Sequence, residues 1–239
     1  MPQFPSVTKT FHHKPYPAID PSRPELSAKG KVIAITGGGG TIGRATALAF
    51  AKAGATKIAV LGLPDDNLTE TKNAIEDAVS GVEVFTCKGD LSDADSLRGA
   101  FGNVKKELGE IDVLVANAAF LPKVEKLHEA DPEEWWKGFE VNTKGAFQCC
   151  RAFLPVAAPG AILVDISSGR VHLPALPTSS GYMASKLAAT KIYETFGVEN
   201  QSISVVHVHP GVVDSDLFRK TGQDTSFDDG MFHTTVIDT

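Results

Sequence analysis

From Lys31 onward the apolar positions fall into two alternating patterns. Short runs rich in β-branched residues, Val32 to Thr36, Lys57 to Gly62, Val82 to Cys87, Val113 to Ala116, Ala161 to Ile166 and Ile203 to Val208, are nearly continuous, which predicts buried strands. Longer amphipathic segments separate them. Ile42 to Ala53 stops at Gly54, Asn67 to Val79 at Gly81 and Asp93 to Leu108 at Gly109, each with the glycine expected just past a helix C-terminus. Alternation of this kind, joined by right-handed crossovers, predicts an α/β fold, a doubly wound parallel sheet of about six strands with helices on both faces. Ligands of such sheets bind beyond the carboxyl ends of the strands, so the chemistry is sought there.

Composition narrows the picture. A chain of 239 residues with 42% hydrophobic content supports one sizeable core rather than two linked domains. Pro2, Pro5, Pro15, Pro17, Pro21 and Pro24 oppose regular structure over residues 1–30 and predict an extended N-terminal arm. The folded unit is expected over residues 31–217 and an irregular tail over 218–239. A net charge of −6 without a block of like charge offers no basic footprint for nucleic acid or an anionic membrane. The N-terminal stretch has no continuous apolar run, so it reads as neither a signal peptide nor a spanning helix. Cys87, Cys149 and Cys150, odd in number and two of them adjacent, are poor material for a disulfide framework. They read as buried small apolar groups, and a reducing, cytoplasmic location is expected.

Candidate chemistry gathers at the strand ends. The first strand runs into Thr36-Gly37-Gly38-Gly39-Gly40-Thr41-Ile42-Gly43 and then a helix, so backbone N–H groups can face a pyrophosphate with no side chain in the way. A flexible turn is the plain alternative, and the strand before and helix after favour the cradle. Gly89-Asp90-Leu91 follows the third strand, and its carboxylate suits either an adenine amino group or a helix start. The fourth strand ends in Asn117-Ala118-Ala119, small residues that admit a flat ligand, with Asn117 able to brace nearby backbone.

The fifth strand ends in Ile166-Ser167-Ser168, and the helix beyond carries Tyr182-Met183-Ala184-Ser185-Lys186, with Tyr182 and Lys186 one turn apart on one face. A phenol titrating at about 10 exchanges protons poorly near neutrality, but an ammonium fixed beside it favours the phenolate. Lowering the phenol by about three units corresponds to roughly 4 kcal/mol. Ser168 can polarise the carbonyl oxygen that Tyr182 protonates, although a Tyr-x-x-x-Lys pair alone also arises by chance. The sixth strand leads to His209-Pro210-Gly211-Val212-Val213-Asp214-Ser215, a rigid turn whose backbone can hold a carboxamide. His207 and His209 share a strand face without a third ligand at suggestive spacing, so packing is favoured and no metal is expected.

In this order the motifs resemble the short-chain dehydrogenase/reductase family, an NAD(P)-binding Rossmann fold with the signatures Thr-Gly-x-x-x-Gly-x-Gly, Asn-Ala-Gly, an Asn, a Ser, Tyr-x-x-x-Lys and Pro-Gly. The resemblance covers about residues 31 to 217. It implies a catalytic tetrad of Asn142, Ser168, Tyr182 and Lys186, with Asn142 holding a water that relays protons to Lys186. It implies cofactor contacts from Gly37, Ile42, Gly43, Asp90 and Asn117, and from Tyr182, Lys186, Val213 and Ser215. The implied activity is hydride transfer between NADP or NAD and a carbonyl or secondary alcohol of a small organic substrate. A homo-oligomer assembled through the helices carrying Asn142 and Tyr182 is implied as well. The segment Lys14-Pro15-Tyr16-Pro17-Ala18-Ile19 resembles the arms of fungal reductases from secondary-metabolite pathways.

Four features depart from the family pattern. Thr41 stands where the middle glycine allows closest approach to the pyrophosphate, which a register shift onto Gly38-x-Gly40-x-x-Gly43 would offset. Ala119 replaces a glycine and Ser215 a threonine. The second strand ends in Gly62-Leu63-Pro64-Asp65, neither the acidic residue that holds ribose hydroxyls nor an arginine for a 2′-phosphate, so NAD and NADP both stay open. Finally, the chain stops at Thr239, soon after Gly211, where the family continues through a substrate-covering helix and a seventh strand. Gly230-Met231-Phe232 can be encoded with GTATGT, a common start of fungal introns, so intron read-through is one account of the shortened end. A catalytically inactive, dinucleotide-binding Rossmann protein is the alternative reading.

Overall fold

The computed structural model describes residues 15–222 apart from Asp65 and Leu173. Its strands are β1 (Val32–Thr36), β2 (Lys57–Gly62), β3 (Glu83–Lys88), β4 (Ile111–Ala116), β5 (Ala157–Ile166) and β6 (Ser204–Val208). They form one sheet in the order β3-β2-β1-β4-β5-β6, every pairing parallel. The helices are α1 (Thr41–Lys52), α2 (Leu68–Ala78), α3 (Ala94–Leu108), α4 (Pro132–Gly138), α5 (Gly145–Phe153), α6 (Ser180–Glu199) and α7 (Asp216–Arg219). The chain winds outward from β1 through β2 and β3, then returns to build β4, β5 and β6 on the other side. This reversal opens a crevice at the carboxyl ends of β1 and β4.

Two apolar layers explain the expected runs. On one face Ile33, Ile35, Ile58 and Val60 pack with Ala47 and Ala51 of α1 and Ile75 of α2. On the other, Ala34, Leu61, Leu114 and Leu163 meet Phe101 of α3, Phe153 of α5 and Tyr193 of α6. Strands buried on both sides carry no polar alternation, which is why β1 and β2 have the bounds the sequence predicts. β5 begins earlier than expected, at Ala157. Pro159 and Gly160 sit inside it, Gly160 at φ +75, where the register against β4 shifts between Ile111 and Val113.

The expectation of a buried sixth strand is corrected. β6 is an edge strand among the described residues, paired with β5 alone, and Val206 and Val208 are exposed together with Ile162 of β5. The arm departs from expectation too. Pro17 and Pro24 each start a single 3-10 turn, Pro17–Ile19 and Pro24–Leu26, because a fixed φ suits a first turn position. The arm docks through Ala28 N–H, which donates to the Ala53 carbonyl at 2.8 Å. At the other end, Ser215 caps α7, so the boundary expected at residue 217 falls inside that helix. Among the described residues no helix is long and apolar enough to cross a membrane.

Candidate active site

The glycine loop is shaped by contact rather than by looseness. Gly37 lies at φ +63, and a Cβ there would come within 2.9 Å of the Ala118 Cα. A Cβ on Gly43 would stand 2.3 Å from the Gly37 carbonyl oxygen, and one on Gly38 would strike Val60 at 2.6 Å. Gly40 differs: its Cβ would meet nothing nearer than the Gly37 oxygen at 3.5 Å. Gly40 is also the N-cap of α1, with no side-chain cap for the first-turn N–H groups. Ile42 and Thr41 lie in that first turn, both partly exposed.

Asn117 braces the loop from β4. Its Nδ2 donates to the Thr36 carbonyl at 2.9 Å and to that of Gly37 at 3.0 Å, while the Asn117 and Ala118 N–H groups donate to Thr36 Oγ1 at 3.0 and 3.1 Å. Both amide hydrogens of the cofactor candidate Asn117 are thus spent on the walls of the crevice. Asn142 lies in the single π turn Phe139–Lys144 between α4 and α5 and is buried. Its Oδ1 accepts from Phe120 N–H at 2.7 Å, and its Nδ2 donates to the Phe120 carbonyl at 2.8 Å and to Ser185 Oγ at 2.9 Å. The Asn142 side chain thus forms a brace that fixes the Phe120 segment against α6. Ser185 completes it by donating to the Tyr182 carbonyl at 3.0 Å.

Lys186 is 4% exposed and reaches the end of β5, donating from Nζ to the Ile166 carbonyl at 2.8 Å. Ser168 follows that carbonyl and Tyr182 stands one turn before Lys186, both partly exposed. β5 and α6 thus bring Lys186 Nζ to the strand end from which the chain runs on to Ser168. Burial holds the Lys186 ammonium below its ordinary range, and the nearby Asp165 carboxylate opposes that effect. Asp165 is fully buried, with Oδ1 3.7 Å from Lys186 Nζ, an ion contact beyond hydrogen-bond length.

The remaining candidates are more dispersed. Asp90 accepts from Ser92 N–H and Oγ at 2.8 and 2.7 Å, a turn leading into α3, whose cap is Asp93. Val213 is buried, and Ser215 Oγ accepts from Phe218 N–H at 3.2 Å. At the end of β2, Asp66 Oδ2 accepts from Leu63 N–H at 2.7 Å, and Arg44 of α1 pairs with Glu70 at 2.7 Å. His207 and His209 do not converge. His207 Nδ1 is 3.0 Å from Asp165 Oδ2, whereas the His209 ring packs over Gly169.

Beside Tyr182 lies a shallow open recess lined by residues 121–125, Trp135 and Thr178, with the charged Lys123 and Glu125 among its apolar walls. Trp135 Nε1 donates to Ser180 Oγ at 3.0 Å, and its ring covers Gly181 so closely that a Cβ there would meet Cδ1 at 3.0 Å. Neither Trp135 nor the Leu121 segment was singled out from the sequence. The Trp135-Trp136 pair just after the Asp131-Pro132 helix start was the available signal.

Comparisons with known proteins follow the same outline. The sequence profile described as short chain dehydrogenase matches residues 31–226. Short chain dehydrogenase pigC of Monascus ruber is 38% identical over 220 residues, spanning 88% of this chain and 71% of that protein. Short chain dehydrogenase citE of Monascus ruber is 33% identical over 228 residues, spanning 92% and 76%. Among solved structures, the alcohol dehydrogenase from the archaeon Thermococcus sibiricus complexed with 5-hydroxy-NADP superposes with a TM-score of 0.73 at 31% identity, covering 81% of each chain.

Proposed function

Since the chain belongs to the short-chain dehydrogenase family, we propose that it transfers hydride between NADP or NAD and a carbonyl or secondary-alcohol carbon of a small organic substrate, with Tyr182 as acid and base. The observation that carries this reading is the placement of Lys186. An almost completely buried ammonium is tied to the end of β5 and stands one helical turn from a partly exposed phenol.

The crevice fits a dinucleotide. Side chains at Gly37, Gly38 and Gly43 would collide with the protein, whereas a Cβ at Gly40 would make only an ordinary contact and the first turn of α1 has no side-chain cap. The Gly37–Gly43 loop would hold the pyrophosphate, and Lys186 and Tyr182 would lie toward the nicotinamide end. The bound dinucleotide supplies hydride in reduction and accepts it in oxidation.

The chain's own residues handle the proton. Tyr182 gives its phenolic proton to the carbonyl oxygen in reduction and takes the hydroxyl proton in oxidation. The Lys186 ammonium stabilises the phenolate, and Ser168 orients the substrate oxygen with its hydroxyl. Asn142 holds the Phe120 segment in place. Substrate approaches Tyr182 from the side of this recess, whose lining mixes Trp135 and Pro122 with Lys123 and Glu125. A role in fungal secondary metabolism, in the cytoplasm, belongs to this proposal and is supported by the likeness to the Monascus ruber proteins and by three free thiols. Pairing of two copies through α5 and α6 belongs to it too, supported by the exposed Phe147 and Leu187.

A second reading, dinucleotide binding without turnover, is favoured by Ile162, Val206 and Val208, which are exposed among the described residues. Fluorescence titration with NADH and NADPH, followed by turnover assays over a carbonyl panel, separates the two. Saturable binding with turnover that Tyr182→Phe abolishes is the expected result. Binding without turnover supports the second reading, and no binding by a folded protein overturns both. The same titration reads out which dinucleotide the Asp66 and Arg44 edge accepts.

A further inference from the structure

Asp165 interrupts an otherwise apolar strand, and no step described so far uses it. It is completely buried in the layer between the sheet and α6. Its Oδ2 accepts from Thr190 Oγ1 at 3.2 Å and from His207 Nδ1 at 3.0 Å. A carboxylate only accepts, so Nδ1 of His207 carries the hydrogen. The parallel register places Asp165 directly beside His207 on β6, and Thr190 stands one turn beyond Lys186 on α6. The remaining oxygen, Oδ1, has no hydrogen-bond partner and faces Lys186 Nζ at 3.7 Å.

We propose that Asp165 is a positioning residue of the reaction: clamped by His207 and Thr190, it is the fixed counter-ion that keeps Lys186 an ammonium held against the end of β5. This rests on the assignment of Lys186 and Tyr182 above. An ammonium this deeply buried loses its hydration, and one carbonyl partner does not replace it. A buried carboxylate with one oxygen turned toward it supplies the missing interaction, and the clamp prevents that oxygen from rotating away. The same clamp reaches the catalytic strand end. Thr190 has one hydroxyl hydrogen and gives it to Asp165, so Ser167 donates to Thr190 across their 2.8 Å contact, fixing the residue that precedes Ser168.

The other ionisable groups facing Asp165 are neutral. Cys149 and Cys150 on α5 and Tyr193 on α6 are all held protonated by burial. Lys186 and His207 are the cationic or potentially cationic groups around the carboxylate, and Glu194 faces His207 from the exposed side of α6.

The test is an NMR titration of the Lys186 ε-methylene in the full chain, assigned with Lys186→Arg. Asp165→Asn is expected to lower the Lys186 midpoint by about one pH unit or more. The kcat/KM pH profile, set by the coupled Tyr182 and Lys186 groups, should change with it. In the unaltered protein the Asp165 carboxyl carbon should show a step at the Lys186 midpoint, a readout that stands even where the variant fails to fold. Coincident Lys186 midpoints in variant and parent, or no step at Asp165, would overturn the proposal. So would a shifted midpoint with an unchanged kcat/KM pH profile. Failure of the hydride-transfer reading shows separately, as turnover that survives Tyr182→Phe, because the NMR titration uses no substrate.

Discussion

Lys186 Nζ donates to the Ile166 carbonyl at 2.8 Å, and through that bond α6 is fastened to the strand end that carries Ser168. A helix face and a strand terminus thereby act as one rigid unit, which a proton-transfer site needs. The attachment also brings a cation beside the buried Asp165.

Lys186→Met leaves Asp165 as a buried charge without its cation. Removing one partner of such a pair costs about 3–5 kcal/mol, and at 3.7 Å the lower end is expected here. The urea midpoint of Lys186→Met should fall accordingly, and adding Asp165→Leu should recover most of the loss because the orphaned charge goes with it. A single variant that unfolds at the parental midpoint would show that the pair contributes nothing to stability.

Gly43→Ala and Gly40→Ala separate the two duties of the glycine loop. A Cβ on Gly43 would lie 2.3 Å from a backbone oxygen and 2.9 Å from the Gly38 Cα, so folding and dinucleotide binding should both suffer. Gly40 has room, with nothing nearer than 3.5 Å, so Gly40→Ala should keep its stability within about 1 kcal/mol. Its dinucleotide affinity should still drop by roughly tenfold or more, because the new methyl occupies the cradle. Unchanged affinity in a folded Gly40→Ala protein would move the pyrophosphate away from this loop.

How much of this was legible in the sequence follows from burial and register. β1 and β2 were readable to the residue because both faces are covered, which leaves a continuous apolar run with sharp ends. The start of β5 was hidden by Pro159 and Gly160, which interrupt the apolar run and form an irregularity in the strand. Tyr182 and Lys186 were legible because a helix fixes i and i+4 on one face. Asn142 was named through resemblance alone, and its partners Phe120 and Ser185 were not, since the π turn breaks the helical period around it. The Asp165 and His207 pair needed the β5 and β6 register, which no local pattern encodes. The burial expected for β6 failed for a related reason: a β-branched run does not say whether a neighbour lies on its far side.

Asn142→Leu should uncouple the recess from the dinucleotide crevice. The substitution leaves the half-buried Phe120 N–H and carbonyl without their partner, at a cost of up to about 1 kcal/mol each. The segment from Leu121 to Val124 that walls the recess follows Phe120 directly, so its position becomes loose. The substrate KM should rise roughly tenfold or more, while dinucleotide affinity, set at the glycine loop, should change little. Parental stability together with a parental KM would refute the bracing role.

The thiol of Cys149 makes alkaline stability a measure of core integrity. Burial pushes it up from 9.0 to about 12, with the Asp165 charge acting in the same direction and the Tyr193 hydrogen bond against it. A folded-state value raised above the unfolded one means that the unfolded chain releases this proton first. The stabilising contribution is therefore complete below pH 9 and is lost as pH climbs toward 12. Urea unfolding in the presence of reductant should show it: the stability difference between the parent and Cys149→Ala should be constant up to about pH 8 and then shrink by up to about 1.4 kcal/mol per pH unit above 9. A difference that stays flat from about pH 8 to about pH 10.5 would mean that the thiol ionises as readily in the native protein as in the unfolded chain, and that α5 does not seal this side of the Asp165 layer.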